Sequence, residues 1–569
     1  MTAGRQHSRL LDAGIVAAIS LFAAFGSGSR TWAGFNSPDS EFYASLALFG
    51  NDVTDRALEP AYTWTRLGFI APVRLLVTAM DPWLGFALWR LLLIAIIIGS
   101  LYAIVRLVST RELAIIVALF AALNTMVLSY VGNPYLTGTI LAATMLLLAL
   151  AAWEVFGTPR RRWLPALLSG AVAGWLVMLN PYALMLGMTM WLALRAVGMW
   201  TAPAGRARAL GRDALLGLAG FVVVFAGCIV AGRLVFPGRN WVRTYLDWNS
   251  RLDYSSFVGD PDVWRHDIGL LVPLGAMLIA VIVVIAKRSA IAAGALAVAV
   301  ANLVFTWGYI AVVPGPWLEA PHYVAKLWPG ALVAVALSFG ALVGRRTLGP
   351  PAWIVTAVAV PLVIWAGHWD RDLSGPQGLG ILAVGLVLVV SAAVLLARGP
   401  ALAAALAVAV ALSGLAIGAQ LLQNGRGLLG IYGQYPFRAA YVDFDGELLM
   451  RSKVASEEFV LAQTSSTDRI GIWTDPARLT AAIAAMQLYG KYNNVGSYDV
   501  LNDAEKAKLR TLAPTALAMY APTRAQVDAF WSSLPPDAGA TAPDCIAVPY
   551  LGIGSPEAFA CVTHLHWQG

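Results

Sequence analysis

Nearly uncharged apolar runs of about 20 residues recur along this chain, and that length crosses the hydrocarbon core of a bilayer as one α-helix. They fall near 11–28, 83–105, 112–130, 136–156, 163–179, 182–200 and 213–235. Six more follow near 268–286, 289–313, 323–343, 351–367, 379–397 and 400–422. The count of about 13 spans is good to about two, because Pro181 and Pro314 blur helix ends. With 59% of residues hydrophobic and 12% charged, a water-soluble fold could not solvate its own surface. The expected class is mainly α: a polytopic membrane helical bundle, N-terminus in and C-terminus out, with a small extracytoplasmic α/β C-terminal domain.

The start, "MTAGRQHSRLLDAGIVAAISLFAAFGSGS", has the basic lead and apolar core of a signal peptide. No clear cleavage site follows, so a retained anchor is expected. Alternation from a cytoplasmic N-terminus then places the loops at 106–112, 157–162, 195–212, 287–288, 345–346 and Arg398 inside. Nearly all are basic, as the positive-inside rule requires. The net charge of +7 therefore serves topology, and no nucleic-acid partner is read from it.

Three outer segments are too long or too polar to be connectors: 30–82, 236–267 and everything after Gln423. In the first, "SEFYASLALFG" and "TWTRLGFIAPVRLLVTAM" space their apolar residues as helices lying in the interface plane do, or as packed re-entrant segments do. The domain division is thus 1–423, with an outer catalytic loop at 30–82, and 424–569. Helical stretches in the tail, such as "DPARLTAAIAAMQLYGKY" and "NDAEKAKLRTL", alternate with strand-like "RIGIW", "TALAMYA" and "CIAVPY". Cys545 and Cys561 both lie there and suit a disulfide, whereas Cys228 sits within a span as a packing residue. A faint repeat, "GNPYLTG" at 132–138 and "LNPYALM" at 179–185, marks two similar outer turns.

No nucleotide-binding glycine loop, HExxH, paired CxxC or G-x-S-x-G elbow is present in the sequence. What remains are polar groups at the outer surface. Asp39 and Glu41 follow the first span in "FNSPDSEFYASLALFG". One carboxylate can serve as general base for a hydroxyl while the other positions an acceptor or a metal; the plainer alternative is that Asp39 or Ser37 only caps a helix. Residues two apart diverge on a helix and converge only in an extended turn. A second cluster, "PGPWLEAPHYVAKLWPG", holds Glu319, His322, Tyr323 and Lys326. His322 and Lys326 share a helical face suited to a lipid phosphate, or else Tyr323 and Lys326 are interfacial anchors. Arg66, Arg74 and the intramembrane Arg90 form a third group.

These stretches, "PDSEFYASLA", "YTWTRLGFIAPVRLL", "GFALWRLL" and the later "HYVAKLWPGALVAV", together resemble the GT-C superfamily of polyprenyl-phosphate-sugar-dependent glycosyltransferases. The protein mannosyltransferase and aminoarabinose transferase branch is the most similar. The resemblance implies Asp39 as catalytic acid with Glu41 as partner. It implies a donor phosphate held by Arg66, Arg74, His322, Tyr323 and Lys326, and an acceptor lined by Tyr43, Glu319, Asn133 and Tyr135. His322 stands where the family usually has Arg, and Asn133 where many members have a second acid, which leaves a divalent cation open as cofactor.

The implied partners are a polyprenyl-phosphate-linked sugar, an envelope glycan, lipid or protein acceptor, and the lipid bilayer. The Ala- and Arg-rich composition resembles that of high-GC bacteria such as actinobacteria, where arabinosyl or mannosyl transfer at the plasma membrane is natural. A lipid or glycolipid transporter or flippase, and a lipid-linked polymer ligase, stand as alternatives. The nearly uncharged span interiors favour surface chemistry over transport.

Overall fold

The computed structural model describes residues 2–26, 38–57, 62–132, 136–157, 163–200, 207–251, 271–312, 325–348, 350, 352–354, 356–357, 360–361, 446–474, 494–496, 500–549 and 557–568. Helices dominate. The first part contains α1 (Thr2–Leu21), α2 (Pro38–Phe49), α3 (Asn51–Arg56), α4 (Leu67–Ala79) and α5 (Pro82–Val108). Next come α6 (Arg111–Ala122), α7 (Thr125–Gly132), α8 (Leu136–Phe156), α9 (Trp163–Leu179) and α10 (Pro181–Trp200). The bundle continues with α11 (Ala207–Val235), α12 (Trp241–Arg251), α13 (Leu271–Lys287), α14 (Ala290–Val312) and α15 (Trp328–Val343).

Seven helices among the described residues are long and apolar enough to cross a membrane, against the thirteen runs expected. Several local causes account for the difference. The expected span at 112–130 is broken into α6 and α7 at Asn124, whose side-chain oxygen accepts the Val127 N–H at 3.0 Å and so starts a new helix. Helices α9 and α13 are only 17 residues long. The expected spans at 379–397 and 400–422, with most of 351–367, lie outside the described residues.

Helix ends follow local chemistry. Asp81 caps α5 by accepting from the Trp83 and Leu84 N–H groups at 3.0 and 3.3 Å, with Pro82 as the first helical residue. Helices α9 and α11 approach unusually closely: a Cβ on Gly170 would collide with the Gly217 carbonyl oxygen. Only glycine permits that backbone contact, the usual device of helix pairs in lipid.

At one end of the bundle the helix termini are tied by ions. Asp12 accepts from Arg111 at 2.6 Å and from the Tyr102 hydroxyl at 2.7 Å, with Arg106 at 3.7 Å. Arg195 bridges Glu154 at 2.6 Å and Asp213 at 3.5 Å. Glu112 accepts the Leu348 N–H, and Ser109 donates to the Gly344 carbonyl. These are the ends where the basic loops were expected.

The opposite end carries α2, α3, α4 and the C-terminal unit. That unit contains α16 (Gly446–Gln463), β1 (Ile470–Thr474), β2 (Asn494–Gly496), α17 (Asp503–Leu512), β3 (Ala516–Ala521), α18 (Arg524–Ser532), β4 (Asp544–Pro549) and β5 (Glu557–His564). Its sheet runs β2-β1-β3-β5-β4, parallel through β3 and antiparallel beyond. The expected strands at "RIGIW", "TALAMYA" and "CIAVPY" are β1, β3 and β4, and "NDAEKAKLRTL" is α17. "DPARLTAAIAAMQLYGKY" and the expected boundary at 423/424 lie outside the described residues.

Alternation along β1 and β3 sends Trp473, Leu517 and Met519 to one face, against Leu509 and Phe530. Ile470, Ile472, Ala518 and Tyr520 go to the other, where they share one apolar cluster with Phe42, Tyr43, Val53 and Met450. The sheet and the loop after α1 therefore have a common core. Cys545 and Cys561, opposite one another on β4 and β5, are joined as a disulfide, and Cys228 is free.

Candidate active site

Pro38 fixes the first turn of α2, so the backbone at Asp39 and Glu41 is helical. The two acids are not brought together by an extended turn. From Phe42 to Ala47 every residue of α2 is buried, and Tyr43 meets Phe69 of α4 edge-on at 6.2 Å. Arg74 lies behind this helix: its Nη1 donates to the Ala47 and Leu48 carbonyls at 3.2 and 2.9 Å. It thus caps the C-terminus of α2, a position that competes with the expected donor contact. Gly50 closes that corner at φ 60°, where a Cβ would sit 3.1 Å from the Arg74 guanidinium.

Arg66 is half-buried at the N-terminus of α4. Its backbone is held on both sides by indoles. Trp241 donates to the Thr65 carbonyl at 2.6 Å, and Trp175 donates to the Gly68 carbonyl at 2.8 Å. Trp64, next in line, is buried against Phe236 with ring centroids 5.5 Å apart.

Lys326 comes from the other half of the bundle. It lies in a 3₁₀ turn, Ala325–Leu327, that leads into α15, and it is only 4% exposed. Asn302 of α14 steadies the turn by donating to the Leu327 carbonyl at 2.8 Å. The Lys326 ammonium lies 5.4 Å from the ring centroid of Tyr182, a cation–π contact. Tyr182 is set by Asn180, which accepts its N–H at 2.9 Å and caps α10, and by a hydrogen bond between its hydroxyl and Thr306. Arg66 is near enough for its charge to act on Lys326. Arg66 and Lys326, 260 residues apart in sequence, thus lie within electrostatic reach of one another, with Lys326 set against an aromatic ring.

The side chains of Asp39 and Glu41 and residues Glu319, His322, Tyr323, Asn133 and Tyr135 lie outside the described residues. Among those described, no three His, Cys, Asp or Glu side chains gather as a metal-holding group. Arg90 is buried within α5 at 3% exposure. Sequence reasoning missed Tyr182, Asn302, Trp175 and Trp241 as site-building residues. The repeated Asn-Pro-Tyr was the available signal for Tyr182, and an isolated Asn in an apolar run was the signal for Asn302.

No family model and no curated protein matches the chain. Solved structures do. ArnT from Cupriavidus metallidurans, bound to undecaprenyl phosphate, aligns over 96% of this chain and 97% of its own, at 14% identity and TM-score 0.48. The archaeal oligosaccharyltransferase AglB from Archaeoglobus fulgidus, in complex with an inhibitory peptide and a dolichol-phosphate, aligns over 95% of this chain and 73% of its own, at 11% identity and TM-score 0.46.

Proposed function

We propose that this chain is an integral-membrane inverting glycosyltransferase that moves a sugar from a polyprenyl phosphate to a hydroxyl of an envelope glycan, lipid or protein, at the end of the bundle bearing the C-terminal unit. The observation that carries this reading is that buried Lys326, set against the Tyr182 ring, lies within electrostatic reach of Arg66 at the start of α4, which packs on α2, whose first turn holds Asp39 and Glu41. Two cations within electrostatic reach of one another fit a phosphate whose negative charge both can share. A lipid-phosphate donor also accounts for a sequence without a nucleotide-binding motif.

In the proposed step Asp39 takes the proton of the acceptor hydroxyl, and Glu41 helps to hold that acceptor. The hydroxyl oxygen attacks the anomeric carbon from the face opposite the phosphate. The bond between that carbon and the phosphate oxygen breaks, its electron pair leaves with the polyprenyl phosphate, and the anomeric configuration inverts. Arg66 and Lys326, with His322 and Tyr323, stabilise the charge that develops on the leaving phosphate. Tyr43, Glu319, Asn133 and Tyr135 are assigned to the acceptor side, and mannosyl or arabinosyl transfer is the proposed range.

Asp39→Asn tests the reading. A positioned general base contributes roughly 10²–10⁴-fold, so transfer from a polyprenyl-phosphate sugar should fall by that factor with donor binding retained. Glu41→Gln should cost less, and Glu319→Gln less again. Wild-type turnover in Asp39→Asn would reduce the carboxylate to a helix cap. The proposed orientation places the C-terminal unit outside the cytoplasm, so a reporter fused after Gly569 should be active only there. Cytoplasmic activity would remove the outward-facing site.

A further inference from the structure

Beside the Arg66 segment, where α11 ends and α12 begins, the surface holds a cavity of about 250 Å³. Its inner wall is apolar, made by Trp64, Leu67 and Ile229, with Trp241 as a side. Its rim is cationic. Arg233 stands exposed in the last turn of α11 and has no acidic partner among the described residues. Arg239 reaches the rim while bonded to Asp55 at 2.8 Å and Asn51 at 3.2 Å. The N-terminus of α12 opens onto the same rim, started by Asn240, whose side chain accepts the Arg243 N–H at 3.1 Å. A helix N-terminus adds partial positive charge to that of Arg233, while Arg239 is balanced by Asp55.

Below the rim α11 turns a long apolar face outward. Val222, Val223, Val230 and Leu234 are 52–79% exposed, and Val242 and Leu246 of α12 continue the surface at 48% and 61%. A membrane helix presents such a face to acyl chains. The cavity is too small for a chain and suited to a compact headgroup.

We propose that this crevice seats the phosphate headgroup of a diacyl phospholipid, with its acyl chains lying along the exposed face of α11. The proposal goes beyond the transfer reading and does not depend on it, since it needs only the bilayer. It also gives the crevice a consequence. Trp64 forms its wall and Trp241 holds the Thr65 carbonyl, so the seated lipid braces the backbone that presents Arg66.

The test uses purified full-length protein in detergent and a photoactivatable phosphatidylglycerol, with the labelled peptides mapped. Labelling should concentrate in residues 229–246 and be competed by unlabelled phosphatidylglycerol. Arg233→Gln should lower it roughly tenfold, the scale of one lost charge-assisted hydrogen bond. Ile229→Trp, which fills the crevice from its apolar side, should do the same in protein that still unfolds at the wild-type temperature. Labelling spread evenly over the apolar surface, or unchanged in both variants, would overturn the proposal. So would competition by inorganic phosphate, which marks a free-anion site, or by polyprenyl phosphate at equal concentration, which assigns the crevice to the donor's path.

Discussion

The two ends of the bundle each hold one group of basic residues in different company. At the end tied by Asp12 and by Glu154, each guanidinium lies against a carboxylate from another helix, and the product is a lock between termini. At the end bearing the C-terminal unit, Arg239 is likewise paired with Asp55 and Arg74 holds backbone carbonyls, but Arg66 lies within electrostatic reach of another cation, Lys326, which sits against the ring of Tyr182. Opposite charges side by side satisfy one another and leave nothing for a ligand. Like charges held together raise the local potential and attract an anion. On the proposed reading Arg66 therefore serves recognition, where Arg111 and Arg195 serve structure.

If the comparison is right, substitutions at the two ends should fail differently. Arg66→Gln and Lys326→Met should each raise KM for a polyprenyl-phosphate donor roughly 10–100-fold, the worth of a charge-assisted hydrogen bond of about 1.5–3 kcal/mol. Because both would touch one phosphate, the double variant should cost less than the sum. Additive losses, or lost stability with unchanged kinetics, would break the contrast. Arg195→Ala should do the reverse. It leaves Glu154 and Asp213 without their shared partner in a mostly buried site, at a cost of about 3 kcal/mol in stability. Turnover per folded molecule should stay at the wild-type level. A changed KM would show that this end, too, communicates with the substrate.

Much of this architecture was legible in the sequence, because bilayer thickness and strand alternation leave direct marks. Apolar length announced α5, α8, α10 and α11, and short apolar strand-like runs announced β1 and β3. The break at Asn124 was not legible, since one polar residue in an apolar run carries no sign of whether it faces a neighbour or stops the helix. At the candidate site Arg66 and Lys326 were each visible as charges beside a span, but their nearness was not. It depends on the chain path through the eleven described helices α4 to α14, and no local spacing encodes that. Arg74 shows the converse: its sequence context suggested the donor, while the structure puts its guanidinium on two backbone carbonyls.

The smallest expected effect lies where the C-terminal unit clasps the end of α3. Arg56, at the end of α3, is 7% exposed and donates to the Thr464 side chain and carbonyl, both at 3.1 Å. Its neighbour Ala57 pairs with Ile470 as a β-bridge. Between those two contacts runs the turn 465–468, held by Asp468. Asp468 accepts from the Ser465 N–H at 2.7 Å, the Ser465 hydroxyl at 2.9 Å and the Thr515 hydroxyl at 2.9 Å. Burial pushes this carboxyl up, but the hydrogen bonds from Ser465 and Thr515 outweigh it and hold it below the usual carboxylate range. A lowered folded-state value means that Asp468 stabilises the fold fully above its unfolded value of about 3.9 and loses that contribution as pH falls through the lowered one. Asp468→Asn should therefore weaken the clasp by about 1 kcal/mol at neutral pH, the net worth of one such bond. In hydrogen exchange the amides of residues 464–470 should open faster than in the wild type at pH 7. The difference should shrink below the carboxyl's folded value, where the wild type is protonated too. Exchange that is equal at pH 7 would show that the clasp is held by Arg56 and the β-bridge alone.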